Sequence, residues 1–415
     1  MPKTMRAFTR SPKFYFMVLL IATVWMALAT PIAHANSITV NSTLDVVDPT
    51  DGHCTLREAI YAANTNTASG GVVGECAAGS PGMDAINIAV SGTILLGGFL
   101  PDISENLTVV GNAGGTTING QGITRSGFST SDNVTLNLSG LTIDNGYFPG
   151  GYGGAIFISS GSNLNISNST LSNNYAGNHG GAIASFYPTS TVSITNSTFY
   201  SNTSADASGG LGGAIYLVGN NITVTNSTFY SNTTTGNSCC SGGGAIYMYQ
   251  GIGLITNSTF VTNTSVGGGG AIYTANTNSI TITHSTIANN KGIGGALFTN
   301  GTTTLRGTIV ANNSNNNCSA GLPITDGGYN LRWPSTDATC VGAFGDPKLA
   351  PLSNYGGPTK TMGLFTGSAA IDAVLTGCPP PAKDQRGVTR PVNGRCDIGA
   401  FEGTLFPLYL PIIRR

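Results

Sequence analysis

Gly212-Gly213-Ala214-Ile215-Tyr216, then Ile222-Thr223-Val224-Thr225-Asn226, then Ser227-Thr228-Phe229-Tyr230-Ser231-Asn232 are three pieces separated by short turns, and their recurrence decides the fold. The first recurs as Gly-Gly-Ala-Ile or Gly-Gly-Ala-Leu, with its alanine at Ala155, Ala182, Ala214, Ala245, Ala271 and Ala296, at spacings of 27, 32, 31, 26 and 25 residues. The last recurs as NSTL from Asn168, NSTF from Asn196, Asn226 and Asn257, and HSTI from His284, with a degenerate RGTI from Arg306. Three residues beyond each large apolar residue stands an asparagine: Asn174, Asn202, Asn232, Asn263, Asn290 and Asn312. Self-similarity at such periods is the signature of a solenoid.

Alternation at period two in β-branched residues marks strands, because successive side chains on a strand point to opposite faces. Gly and Asn between the strands tolerate the positive φ that tight turns need. Three short strands per repeat predict an all-β chain, a right-handed parallel β-helix over residues 105–313, with each coil bonded to the next about 4.8 Å along the axis. Equivalent residues then stack in columns. Ile156, Ile183, Ile215, Ile246, Ile272 and Leu297 form one expected buried column, and Leu171, Phe199, Phe229, Phe260 and Ile287 another. Asn168, Asn196, Asn226 and Asn257 read as an amide ladder at a bend, each satisfied by its neighbours above and below. Residues 105–143 read as earlier, degenerate coils, so that about eight to ten coils make a rod of roughly 40 to 50 Å.

Such a stack needs ends that close its core. Residues 36–104 read as an N-terminal cap, in which Thr55 followed by Glu58 is a capping box opening a short amphipathic helix. Ahead of it, Lys3, Arg6, Arg10 and Lys13 precede the apolar run Phe14–Ala29 and the small-x-small site Ala33-His34-Ala35. That is the layout of a secretory signal peptide over residues 1–35, and the run is short for a membrane span. Its removal takes four of the 17 basic residues and none of the 18 acidic ones, leaving a formal net charge of −5. With no basic patch, the chain has no electrostatic footprint for nucleic acid. No later stretch is apolar for long enough to form a transmembrane helix, so the expected location is secreted or on the cell surface. Eight cysteines in an exported chain point to disulfides. Proximity suggests Cys54 with Cys76, Cys318 with Cys340 and Cys378 with Cys396, while the adjacent Cys239 and Cys240 are free or vicinally bridged.

The segment Cys54-Thr-Leu-Arg-Glu-Ala59 resembles the motif of the CSLREA domain of secreted bacterial β-helix proteins, with Thr55 in place of the serine. GDPKLAPLSNYGGPTKTMGL from Gly345, GSAAIDAV from Gly367, DQRGVTRP from Asp384 and CDIGAFE from Cys396 resemble the choice-of-anchor Q signature, and residues 314–403 are assigned to it. The Gly-Gly-Ala-Ile and Phe-x-x-Asn rhythm is similar to the repeats of polymorphic outer-membrane adhesins. These resemblances imply a secreted or surface-held β-helix, and the anchor family name implies that the apolar tail 404–415 is a sorting signal. The other reading of that tail is a last edge strand.

The same fold carries pectate lyases, which need acidic residues converging on calcium, and glycosidases need a carboxylate pair. From Ser139 to Asn313 the charged residues are Asp144, Asp206, Lys291 and Arg306, and Asp144 aligns with Ser172, Tyr200, Tyr230, Val261 and Ala288. The rod shows no aligned catalytic carboxylates, and no motif implies a cofactor or a zinc site. Asp45, Asp48 and Asp51 read as turn residues rather than calcium ligands. Asp384, Arg386, Arg390, Asp397 and Glu402 read as a structural ion-pair network. The candidate binding residues are an outward aromatic column, Phe157, Tyr216, Tyr247, Tyr273 and Phe298, interrupted by Ala184. It reads either as a stripe for sugar rings, whose C–H faces pack on aromatic faces, or as ordinary covering of the rod. The expected function is adhesion to a polysaccharide or cell-surface ligand, with a polysaccharide lyase or glycoside hydrolase as the alternative.

Overall fold

The computed structural model describes residues 36–406, apart from 238, 277, 278, 379 and 393. The expected leader, residues 1–35, and most of the apolar tail, 407–415, lie outside the described residues. Two parallel sheets of 11 strands each dominate the fold. The first runs from Ser37–Val40 to Ile324–Asp326, and the second from Gly92–Leu95 to Ala343–Phe344. Two shorter parallel sheets complete the coils: a third of 5 strands from Tyr147–Phe148 to Thr264–Ser265, and a fourth of 7 strands from Ile156–Phe157 to Cys318–Ala320. This is a parallel β-helix, as the repeat predicts.

Like sits on like from coil to coil. The isoleucine column runs in register from Ile156 to Leu297 and continues to Cys318. Leu171, Phe199, Phe229, Phe260 and Ile287 form the second column. Its phenyl rings stack at 4.7 and 4.8 Å, with interplanar angles of 8° and 3°.

Four expectations are corrected. The stack is not confined to 105–313, because Ser37–Val40, Met83–Ile88 and Gly92–Leu95 already pair as strands within the expected cap. Beyond 313, strands up to Ala343–Phe344 continue the sheets. Each central coil has four strands rather than three, since pairs such as Thr203–Ser204 bond to the next coil. The last Ser-Thr-Phe equivalent is shifted by one residue: Arg306 pairs with Thr283, so Gly307-Thr308-Ile309-Val310 occupies the place of His284-Ser285-Thr286-Ile287. Gly307 accommodates the positive φ of that corner, 57°, and its α-carbon lies against the His284 ring, where an added Cβ would stand 2.9 Å from the imidazole.

The shift also moves the asparagine ladder. Asn174, Asn202, Asn232, Asn263 and Asn290 are fully buried, and the next member is Asn313, not Asn312. Each Nδ2 donates to the next Oδ1 at 2.9–3.1 Å and to a backbone carbonyl of the preceding coil, as Asn232 does to Phe199 at 2.9 Å. The outer ladder is shorter than expected. Asn196 and Asn226 donate down the column at 3.2 Å, but Asn257 donates instead to the carbonyl of Lys383.

The cap helix spans Leu56–Thr65, with the capping box between Thr55 and Glu58 formed and Leu56, Ala59, Ile60, Ala62 and Ala63 buried. Arg57 is not part of the helix start alone. It bridges to Asp45 at 2.8 Å and to the Phe99 carbonyl at 2.5 Å, tying two loops to the cap. Cys54–Cys76, Cys318–Cys340 and Cys378–Cys396 are bonded, and Cys239 and Cys240 are free and exposed. No helix among the described residues is long and apolar enough to cross a membrane.

After Phe344 the chain forms the antiparallel hairpin Leu349–Ser353 with Thr361–Leu364 and folds back on the outward face of the second sheet. Met362 packs against Val261 and Ala288. Gln385, fully buried, is the clasp. Its Nε2 donates to Thr228 Oγ1 at 2.8 Å, Thr359 Oγ1 at 2.9 Å and the Lys360 carbonyl at 3.0 Å, and its Oε1 accepts from Thr259 Oγ1 at 2.6 Å. Gln385→Ala is expected to weaken this docking by roughly 2 kcal/mol, because buried hydroxyls lose their partners. Limited proteolysis should then cut between 345 and 405 at a lower urea concentration than in the parent, and an unchanged cleavage profile would refute the clasp.

Candidate binding face

The aromatic column lies on the outward face of the fourth sheet, in the register Phe157, Ala184, Tyr216, Tyr247, Tyr273, Phe298. Its geometry removes the simplest use for it. Tyr216, Tyr247, Tyr273 and Phe298 stack at centroid distances of 5.4, 5.1 and 4.8 Å and interplanar angles of 19°, 16° and 7°. Ring faces are therefore spent on one another along the axis, and a sugar meets edges rather than faces. Phe186 fills the gap at Ala184, 5.6 Å from both Phe157 and Tyr216. The turns at Gly268 and Gly294 press on the rings so closely that an added Cβ would stand 2.2 and 2.3 Å from Tyr273 and Phe298. Burial pushes the Tyr216 phenol up to about 12 and raises those of Tyr247 and Tyr273 as well. The column is a spine of rings packed on one another, and it presents ring edges outward. A cavity of about 340 Å³ at its far end is lined by Cys239, Cys240, Tyr273, Phe298 and Ser319.

The acidic residues that the sequence singles out are individually engaged. Asp144 neighbours Ser172 in register and accepts from Ser172 Oγ at 2.7 Å and Asn173 Nδ2 at 2.8 Å. Asp206 stands 4.0 Å from His179 Nε2, against Tyr216, and accepts from Ser208; burial lowers the imidazole's proton affinity. Asp48 and Asp51 accept from Thr50 and His53 two residues on, as Asx turns do. Near the C-terminus Arg386 grips Asp384 at 2.7 Å and Arg390 grips Glu402 at 2.7 Å, both within the fold-back region. Among the described residues, no three His, Cys, Asp or Glu side chains converge to hold a metal ion.

Two features had no clear signal in the repeat. The first is the outward face of the first sheet, where Thr108, Asn137, Asn165, Ser193 and Thr223 follow one another in register, joined by bonds such as Asn165 Nδ2 to Asn137 Oδ1 at 2.8 Å. Neighbouring columns are similar: Thr135, Asn163, Thr191 and Asn221 on one side, and Ser139, Ser167, Thr195 and Thr225 on the other. Ile252 and Leu254, 51% and 47% exposed, interrupt them with an apolar step, and Met83 and Val110, 40% and 36% exposed, form another at the early end of the same face. The second is a cleft of about 440 Å³ between the cap helix and the early coils, lined by Tyr61, Phe99, Leu100, Pro101, Asp102, Arg125, Gly127, Ser129 and Phe148. Arg125 forms its floor, with its guanidinium 4.9 Å from the Phe148 centroid and 5.7 Å from those of Phe99 and Phe157.

A fold of stacked parallel coils, stapled by disulfides and presenting hydroxyl and amide columns, defines the protein as a β-helix with a repetitive polar surface. No family model matches the chain, and no curated protein matches it. Among solved structures it is similar to the crystal structure of pectate lyase Pel9A, at 14% identity and a TM-score of 0.42, covering 90% of this chain and 97% of that one. A likeness so distant carries no argument about activity.

Proposed function

We propose that the chain is a secreted or surface-held β-helix that adheres to polysaccharide without turning it over. The first sheet's outward face carries this reading. A polymer laid along the axis would meet the same uncharged donors and acceptors at each step of about 4.8 Å. The ladder bonds between neighbouring side chains hold these groups in place, so little entropy is lost when they bind. The leader-like N-terminus, the three disulfides and the resemblance to CSLREA and choice-of-anchor Q proteins support an extracellular setting.

The test is co-sedimentation of the purified chain with insoluble polysaccharides, alongside assays for released reducing ends and unsaturated uronates with and without calcium. Saturable binding without turnover is expected. Asn165→Glu combined with Thr223→Glu should weaken that binding roughly tenfold by placing charge in the middle of the wall. Calcium-dependent turnover would overturn the reading in favour of a lyase, and reducing ends without calcium would favour a hydrolase.

A further inference from the structure

We propose that the Arg125 cleft is a carboxylate-binding subsite that takes an acidic sugar residue. The inference rests on the polysaccharide reading and adds a ligand charge and a place. Arg125 donates Nε to the Gly153 carbonyl at 2.9 Å and Nη2 to the Tyr152 carbonyl at 3.3 Å. A guanidinium has five N–H donors, so these bonds leave the rest of the fork turned to the cleft. Phenyl rings on its flanks attract the cation but accept no strong hydrogen bond.

The Arg125 guanidinium has no counter-ion among the described residues, a lack it shares with the half-buried Arg306 and Arg332, which donate to backbone carbonyls away from this cleft. Arg57, Arg386 and Arg390 are also well buried, and each holds a carboxylate at 2.7–2.8 Å. Arg125 has no ion-pair partner among the described residues. Asp102, on the cleft rim, acts on it only through the Coulomb field. Burial lowers the proton affinity of the guanidinium, to about 10, because the charged form loses hydration there. Burying a cation without a partner is unfavourable, and a planar carboxylate matches the guanidinium fork with two parallel bonds.

The walls supply the rest of a sugar site. Phe99 and Tyr61 are 53% and 47% exposed. Phe99 meets Phe148 edge to face, so its own face is not stacked on a parallel ring as those of the column are. Such faces suit the C–H side of a pyranose, and Ser129 and Asp102 offer partners for its hydroxyls. The volume lies within the roughly 300–1,000 Å³ usual for ligand pockets.

Calorimetric titration of the full chain with trigalacturonate, the matched neutral trigalactoside and acetate separates the contributions. Trigalacturonate should bind saturably, and the neutral sugar and acetate roughly tenfold or more weakly, since each supplies half of the contact. Arg125→Lys keeps the charge but loses the fork and should weaken trigalacturonate at least several-fold, with the circular dichroism unchanged. Asp102→Asn, at an exposed position, should tighten it by removing a like charge from the rim. Equal affinity for acidic and neutral sugars, or indifference to both substitutions, would overturn the subsite while leaving adhesion to neutral polysaccharide standing. Acetate binding as tightly as trigalacturonate would reduce the cleft to a general anion site and also overturn it. Failure of every polysaccharide to bind would bring down the adhesion reading, a separate result.

Discussion

Asn232→Ala should cost the rod roughly 2 to 6 kcal/mol, although asparagine to alanine on an exposed strand face is close to neutral. Asn232 sits in the middle of the inner amide ladder, with no exposed surface. Its Nδ2 serves Asn263 Oδ1 and the Phe199 carbonyl, each at 2.9 Å. Its Oδ1 receives the backbone N–H of Asn202 at 3.1 Å and the Nδ2 of Asn202 at 2.9 Å. Alanine leaves the backbone N–H of Asn202 without its partner, takes one of two acceptors from Asn202 Nδ2, which keeps the Leu171 carbonyl at 2.9 Å, and takes the side-chain donor from the Phe199 carbonyl, while Asn263 Oδ1 keeps the backbone N–H of Asn232, at 3.0 Å. One buried N–H left without a partner, at about 1–3 kcal/mol, and two further lost bonds, at about 0.5–1.5 kcal/mol each, give the expected range. The control is Asn165→Ala, which removes an exposed ladder amide and should stay within about 0.5 kcal/mol. Urea unfolding followed by circular dichroism decides. A loss at Asn232 no larger than at Asn165 would mean that the ladder is not a structural element. Asn232→Asp sharpens the point at neutral pH, because one carboxylate oxygen would face the Phe199 carbonyl and Asn263 Oδ1, both acceptors.

The ladder also shows which parts of this molecule its sequence discloses. A solenoid writes its core as columns, so a residue type recurring once per coil is visible without a structure. The Ile156–Leu297 and Leu171–Ile287 columns, the asparagines and the aromatic column were all legible for that reason. Direction was less legible than position. The same list of tyrosines fits rings lying flat for a ligand and rings stacked on each other, and only the 4.8–5.4 Å ring spacings distinguish them. Coils without the Gly-Gly-Ala punctuation, such as Ser37–Val40 paired with Met83–Ile88, resemble a cap in the sequence because nothing marks them as repeats. The one-residue slip at Gly307 escaped for a related reason, since glycine satisfies that corner without resembling Asn or His. The Arg125 cleft was hidden altogether. It is assembled from the cap helix, the 99–102 loop and two coils, and a residue occurring once belongs to no column.

His284→Asn should change how stability depends on pH more than it changes stability at neutral pH. His284 takes the fifth place in the outer corner column, after Asn168, Asn196, Asn226 and Asn257, and all five have positive φ between 43° and 51°. Asparagine therefore fits the backbone there. Burial pushes the imidazole down to about 3 from its ordinary 6.5, and the charges of Arg390 and Arg306 add to this. The folded state thus keeps His284 neutral while the unfolded state protonates it below about 6.5. Its contribution is fully present above that pH and is lost toward pH 3 at roughly 1.4 kcal/mol per unit. Asp397 works in the opposite sense. Burial raises its carboxyl from 3.8 to about 7, so the folded state binds a proton that the unfolded state releases, and stability rises as the pH falls through that window. The two terms offset each other between pH 6.5 and 4, and the wild-type profile should be nearly level there. With His284 replaced, the Asp397 term stands alone, and the variant should gain roughly 3 kcal/mol on the wild type as the pH falls from 6.5 to 4. Subtracting the thermal-melt profiles of the two proteins cancels Asp397 and isolates the imidazole. Parallel profiles would show that His284 is protonated in the folded rod, and that Arg390 and Arg306 do not exclude the charge.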